Sequence, residues 1–198
     1  MDFHLVPRGE DRNYTGFLTK TIVYIGGLML FIASFGLTVS SIAIPKWVTY
    51  HSDSKPGYTY TYGLHRRCSS LTNTCESFPS SEDCHAGDRY FCSMWRSVGF
   101  LMSFAVVLEG MSLRLRENGW KVLSLLILLS AVVQVGSVSL VAYLYDNEDR
   151  FFAGWQLDES WVYCTVSWAM SLFCAGALIA AGRSLPSEGG YELIPDQE

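Results

Sequence analysis

Four stretches of the chain share one pattern, a long apolar run closed at both ends by charge. Lys20 and Lys46 bracket 25 residues without an Asp, Glu, Lys or Arg; Lys121 and Asp146 bracket 24, and Glu159 and Arg183 bracket 23. Between Arg96 and Arg114, 17 residues carry a single charge, Glu109. A helix needs roughly 20 apolar residues to cross the hydrocarbon of a bilayer. The pattern therefore predicts spans at 21–44, 97–113, 121–145 and 161–182. Polar sequence remains at the tails, 1–20 and 183–198, in a long loop, 45–96, in a short turn, 114–120, and in a second loop, 146–160.

Composition agrees with this reading. Charged residues make up 17% of the 198, where a soluble domain carries about a quarter, and the mean hydropathy is +0.20. These values exclude an ordinary soluble enzyme, a nucleic-acid binder and a disordered chain. The net charge of -5 is spread without a basic run or an acidic block. Basic residues do orient the bundle, because short cytoplasmic segments are enriched in Lys and Arg. Arg114, Arg116 and Lys121 crowd the turn between the second and third spans, Arg8, Arg12 and Lys20 precede the first, and Arg183 follows the fourth. Both termini are expected in the cytoplasm, at the plasma membrane, with the two loops outside. No signal-peptide cleavage site precedes the first span, which is too long for a signal core and is expected to remain as an anchor. Trp47, Trp95, Trp120, Tyr143, Tyr145 and Trp161 fall at span boundaries, where aromatic rings anchor in the interface.

Cysteine placement supports that orientation. Cys68, Cys75, Cys84 and Cys92 share the first loop, while Cys164 and Cys174 lie within the fourth span as small packing residues. An even cluster on the translocated side reads as a disulfide framework with three possible pairings. No C-x2-C half-site supports zinc, although His65 and His85 are nearby. Residues 57–63, Gly-Tyr-Thr-Tyr-Thr-Tyr-Gly, alternate Tyr58, Tyr60 and Tyr62 with Thr59 and Thr61, a strand signal. Residues 45–50 could pair with it. Two strands alone are marginal, so a small disulfide-pinned antiparallel sheet on top of the bundle is expected.

Four spans, a large first loop with strands, and a Trp-then-Cys pattern together resemble the claudin superfamily, which includes the peripheral-myelin-protein-like tetraspans. That family's signature is a Trp after the first helix, then Gly-Leu-Trp, then two Cys. Trp47 follows Pro45-Lys46, and Gly63-Leu64-His65-Arg66-Arg67-Cys68 matches Gly-Leu-Trp-x-x-Cys except that His65 replaces the second Trp; Cys75 takes the second Cys position. A basic residue before the second helix has Arg89 or Arg96 as its counterpart. The resemblance implies an all-α membrane fold: a left-handed four-helix bundle carrying a small disulfide-bonded antiparallel sheet in the first extracellular loop. It implies Cys68–Cys75 as the core disulfide and Cys84–Cys92 as an additional one, while spacing alone leaves crossed pairings open. The second cysteine pair and His65 suggest a distant branch, such as the fungal claudin-like membrane proteins. The second loop matches no claudin adhesion motif, and the C-terminus lacks the hydrophobic last residue read by PDZ domains, so tight-junction sealing is not carried over.

Within the spans, Glu109 is the outstanding residue, because a carboxyl in a membrane helix is costly and often functional. Counting about 1.5 Å per residue places Glu109 and Gln134 at similar depth, where they could hydrogen-bond across the bundle; an ion path is the alternative. Gly26, Gly27 and Gly36, with Ser171, Ala175, Gly176 and Ala180, have the small side chains that let membrane helices approach, either within one chain or between copies. His4, His51, His65 and His85 read as surface histidines. Arg66 and Arg67 form either a solvated loop edge or a partner-facing surface. The second loop, with Phe151, Phe152, Trp155 and Trp161, could insert into a partner or rest on the bilayer. Asn13-Tyr14-Thr15 is a glycosylation sequon on the expected cytoplasmic side. Tyr191 and Ile194 bound a Tyr-x-x-hydrophobic sorting pattern.

No catalytic or nucleotide-binding motif occurs, and neither a metal nor another cofactor is expected. The expected role is non-enzymatic: a claudin-like protein that organises membrane domains or cell-surface contacts through its sheet and through lateral helix contacts. Its partners would be the lipid bilayer, other membrane proteins or further copies of itself, and an extracellular matrix or cell wall, with no nucleic acid. The alternative is an auxiliary channel or transporter subunit, or a small ion-conducting assembly using Glu109. An intramembrane enzyme is a weaker third class.

Overall fold

The apolar runs fold as helices α1 (Asp11–Ala43), α2 (Arg89–Arg114), α3 (Trp120–Asn147) and α4 (Glu159–Ser184). The computed structural model describes residues 11–52, 57–80, 82–84, 89–114 and 120–184. Each helix contains a stretch long and apolar enough to cross a bilayer, and the chain is a four-span integral membrane protein. α1 packs on α4, α4 on α3 and α3 on α2, and a lighter α1–α2 contact closes the ring. α1 stops just before Pro45, whose ring disfavours helix in the residue before it. α2 starts at Arg89, well before the expected 97, because hydropathy falls at Arg96 while the helix continues as an amphipathic turn. Phe91, Cys92 and Trp95 are buried there, and Arg89, Ser93 and Arg96 are exposed. α1 likewise reaches back to Asp11 rather than 21, since polar residues lower hydropathy without ending a helix.

The loop after α1 carries β1 (Val48–His51), β2 (Thr59–Tyr62), β3 (Arg66–Ser69) and β4 (Thr74–Ser77); β5 (Trp155–Leu157) comes from the second loop. The five form one antiparallel sheet in the order β4-β3-β2-β1-β5. Val48 faces Tyr62 and Tyr50 faces Tyr60. The β3–β4 hairpin turns through Asn73 at φ 52°, a left-handed conformation that Asn tolerates better than most residues. Its register sets Cys68 directly opposite Cys75, and the two form a disulfide. A second disulfide, Cys84–Cys92, ties a single 3-10 turn to the start of α2.

Sheet and bundle are joined at several points. The start of α4 is stitched to the chain leaving α1: the Asp158 N–H donates to the Trp47 carbonyl at 3.1 Å, and the Ser160 N–H and hydroxyl donate to Lys46 and Ile44 carbonyls. Asp158 stands just before α4: its carbonyl accepts from the Trp161 and Val162 N–H groups, and its carboxylate accepts from the Glu159 N–H at 2.8 Å and from the Thr49 hydroxyl. Gly63 lies so close to Pro45 that a Cβ would sit 2.5 Å from its Cα. Gly154, at φ +110°, turns the chain into β5 where a Cβ would meet the Tyr50 ring at 2.8 Å.

Two expectations about small and aromatic residues are corrected. A Cβ on Gly26, Gly36 or Gly176 would meet nothing within 4 Å, and all three are exposed, so these glycines do not bring helices together within the chain; Gly27 also has room for a Cβ, while its carbonyl accepts from the Cys174 thiol of α4 at 3.8 Å. Ser34, Ser167, Ser171 and Ala175 make the α1–α4 approach; Gly176, one residue beyond Ala175, is rotated about 100° around the helix and faces outward. Trp47 and Trp95 are not interfacial anchors, for both are 0% exposed. Their indoles donate to backbone carbonyls, Trp47 to Ser41 at 2.7 Å and Trp95 to Gly63 at 3.1 Å, an arrangement that satisfies the one polar atom of a buried indole.

Candidate functional site

The alternation of β2 sends Tyr58, Tyr60 and Tyr62 to one face, but their surroundings differ. Tyr62 points into an aromatic core between sheet and helices, stacked on Phe78 at 4.7 Å and on Trp155 at 5.0 Å. Phe91, Trp95 and Phe151 complete that core, and Arg150 lies over the Phe91 ring at 4.7 Å. Burial raises the Tyr62 phenol above its ordinary pKa, outweighing the opposite pull of Arg67 and Arg150. Farther along the same face the rings come to the surface as a ledge: Phe152 against Tyr50 at 5.3 Å, Tyr50 against Tyr58 at 6.2 Å, and Tyr58 against Tyr60 at 5.5 Å. Phe152 and Tyr60 are exposed, as is Leu71 at the β3–β4 turn.

Arg67 anchors the far edge of the sheet. Its Nε and Nη2 donate to Glu76 on β4, at 3.1 and 2.8 Å, and its Nη1 donates to Asp83 at 2.7 Å. Asp83 also accepts from the Ser80 N–H and hydroxyl at 3.0 and 2.7 Å. Burial alone would raise the Asp83 carboxyl, but the Ser80 hydrogen bonds and the Arg67 guanidinium together hold it below its ordinary value. The Glu76 hydrogen bond raises Arg67 further. A carboxylate with a depressed folded pKa stabilises the fold fully above its unfolded value, about 3.9 for Asp. That contribution is lost as pH falls through the folded value. Protection of residues 66–80 and 82–84 against hydrogen exchange, taken relative to the intrinsic rate at each pH, should therefore fall on acidification below about pH 4, and Asp83→Asn should already be less protected at neutral pH and lose most of this acid step. An identical acid profile in the two proteins would count against the assignment.

Inside the bundle, the buried hydroxyls converge on Glu109. Its Oε1 accepts from Gln134 Nε2 at 2.7 Å, from Ser130 at 3.2 Å and from Thr38 at 3.3 Å. Thr38 continues to Ser167 at 2.6 Å, and Ser167 and Ser171 each meet Ser34 at 2.9 Å. One network thus joins all four helices, and Glu109 and Gln134 are both 0% exposed. Two oxygens inside it, Glu109 Oε2 and Gln134 Oε1, have no hydrogen-bond partner among the described residues.

The structure therefore brings Glu109 and Gln134 together, and groups Trp47, Gly63 and Leu64 with Trp95 beside the Cys68–Cys75 hairpin. His65, standing where the resemblance has Trp, is exposed and lies over Gly99 of α2; the buried indole against this turn comes from Trp95. In the second loop β5 joins the sheet and Phe151 and Trp155 turn inward, while Phe152 stays exposed. Cys164 and Cys174 are buried free thiols. His4, His85, Tyr191 and Ile194 lie outside the described residues. The sequence reading missed β5, the burial of Trp95 and the Arg67–Asp83 pair; alternating Trp155-Gln-Leu157 after Gly154 was a usable signal for the first. Among the described residues no three His, Cys, Asp or Glu side chains converge as a metal site would require. No family model and no curated protein matches the chain.

Proposed function

We propose that this tetraspan is a non-enzymatic, claudin-like organiser of membrane domains or cell-surface contacts. It would sit in the plasma membrane with both termini cytoplasmic. Its sheet would present the contact surface, and its outward helix faces would meet other membrane proteins or further copies of the chain. The observation that carries this reading is a sheet held by both loops, two disulfides and a buried aromatic core, which still leaves the Phe152–Tyr50–Tyr58–Tyr60 ledge and Leu71 at the surface. Ordering a contact surface in advance lowers the cost of binding. The positions of Trp47, Gly63, Leu64, Cys68 and Cys75 around the root of the sheet support the claudin-like assignment.

The transport reading draws on Glu109 and its orphan oxygens. The closure of all four helices around that carboxyl favours a fixed internal tie instead. Two measurements separate the readings. Surface clusters of the tagged protein in native membrane should disperse when Phe152 and Leu71 are both replaced by Asp. Purified protein in planar bilayers should pass no current. Unchanged clusters, or a conductance abolished by Glu109→Gln, would reject the organiser role.

A further inference from the structure

The sheet-side end of α2 carries two arginines, Arg89 and Arg96, apart from the Arg67 ion pairs. Arg89 and Arg96 are seven residues apart, two helical turns, so they stand on one face about 10 Å apart along the axis. Both are exposed, and neither meets a carboxylate among the described residues, unlike Arg67; Arg96 Nη2 makes a long contact to Cys84 Sγ at 3.9 Å. Between them lies an open groove of about 700 Å³, lined by Cys84, Arg89, Ser93, Arg96, Ser97 and Phe100 among others. Two guanidiniums and the Ser93 hydroxyl in one groove suit a phosphate, which arginine can bind through paired N–H donors; the Ser97 hydroxyl donates to the Ser93 carbonyl at 2.9 Å.

Position along the helix selects the kind of phosphate. Arg96 is 18 residues from Arg114, about 27 Å along the helix and close to the roughly 30 Å thickness of a bilayer's hydrocarbon. Helical side chains lean toward the helix N-terminus, which for α2 is the sheet end, so the Arg96 guanidinium is carried toward the headgroup layer. Directly below the arginines the same face turns apolar. Phe100 and Phe104 are exposed with rings stacked at 6.4 Å, and Val107 and Met111 continue the stripe downward. A soluble anion would use the arginines and leave this stripe bare; a phospholipid covers both.

We propose that this face of α2 is a binding site for an anionic phospholipid in the sheet-side leaflet, with Arg89 and Arg96 on the phosphate and Phe100 and Phe104 along the acyl chain. The proposal rests on the membrane-spanning fold alone and is independent of any partner of the sheet.

The test is native mass spectrometry of the full-length chain in detergent, titrated with phosphatidylglycerol, with phosphatidylcholine of the same chains, or with inorganic phosphate. Wild type should retain phosphatidylglycerol over phosphatidylcholine, by about fivefold for each arginine engaged. Arg89→Gln with Arg96→Gln should abolish that preference at unchanged thermal stability, as both side chains are exposed. The double Lys variant should keep part of the preference, and Arg114→Gln at the opposite end of the helix should keep all of it. Equal retention of the two lipids by wild type, an undiminished preference in the double Gln variant, or displacement of phosphatidylglycerol by millimolar inorganic phosphate would each overturn the site.

Discussion

Glu109→Leu is expected to destabilise the bundle by about 2–3 kcal/mol, whereas Glu109→Gln should change its stability by less than about 1 kcal/mol. The difference follows from donor accounting. Leucine removes the oxygen that accepts from Thr38, Ser130 and Gln134. A buried donor left unpaired costs about 1–3 kcal/mol. The three losses do not add fully, since Gln134 Nε2 also reaches Ser130 and Thr38 at 3.2 and 3.3 Å, and Thr38 donates to the Ser34 carbonyl at 3.1 Å. Glutamine keeps the accepting oxygen and adds an N–H in a network that holds an unpartnered acceptor, Gln134 Oε1. An ordinary polar contact between membrane helices averages about 0.6 kcal/mol, so an effect of the size expected for leucine marks a hub rather than a pair. Unfolding of purified protein in a denaturing detergent series measures both variants. A glutamine variant as unstable as the leucine variant would show that the carboxyl itself is required.

The same geometry bears on function. A carboxyl that accepts from three side chains on two neighbouring helices at once is poorly placed to exchange partners with a passing ion, because each hydrogen bond released must be replaced in a low-dielectric interior. Stability retained in Glu109→Gln together with unchanged clustering would locate the role of Glu109 in fixing the helices, and so in holding the ends from which both loops spring.

Much of the fold was legible because bilayers impose a length. The apolar runs located all four helices, and the β1–β2 pair followed from the Tyr–Thr alternation. The remaining elements depend on partners distant in sequence. β3 reads Arg-Arg-Cys-Ser and β4 Thr-Cys-Glu-Ser, neither with an apolar alternation; they are strands because a disulfide and the Arg67–Glu76 pair hold them to each other while β3 pairs with β2. β5 has three residues and exists by pairing with β1. For the candidate site, depth counting was enough to pair Glu109 with Gln134, since α2 and α3 are antiparallel neighbours with only residues 115–119 between them. Ser171 was marked by its small-residue spacing to Ala175, but Ser34 and Ser167 gave no such signal: serines are common in membrane helices, and only the rotation of α1 against α4 selects the three that meet. Trp95 was misread as an interfacial anchor because boundary position is all a sequence shows; the sheet folds back over it and makes it core.

That burial leads to the larger expected effect. Trp95→Ala should destabilise the join between sheet and bundle by about 3–5 kcal/mol, the usual range for removing a large aromatic side chain from a core. Trp95 is 0% exposed, packs on Phe91 at 5.4 Å and on Phe78 at 5.6 Å, and supplies the donor for the Gly63 carbonyl. Alanine removes the ring contacts and the hydrogen bond together. Trp95→Phe keeps most of the ring contacts and leaves the carbonyl unpaired, at about 1–3 kcal/mol. The loss should be local: the spans remain held by the bilayer and by the Glu109 network, while the turn 63–65 and strands β1 to β3 lose protection. Hydrogen exchange resolves this, with acceleration expected at 47–69 and little change within α3 and α4. Trp47→Phe should loosen the same region from the other side, through loss of its donor to Ser41. Uniform acceleration across all four helices would mean that sheet and bundle unfold as one unit, and an effect no larger than that of Tyr143→Ala, at an exposed position, would remove Trp95 from the core of the argument.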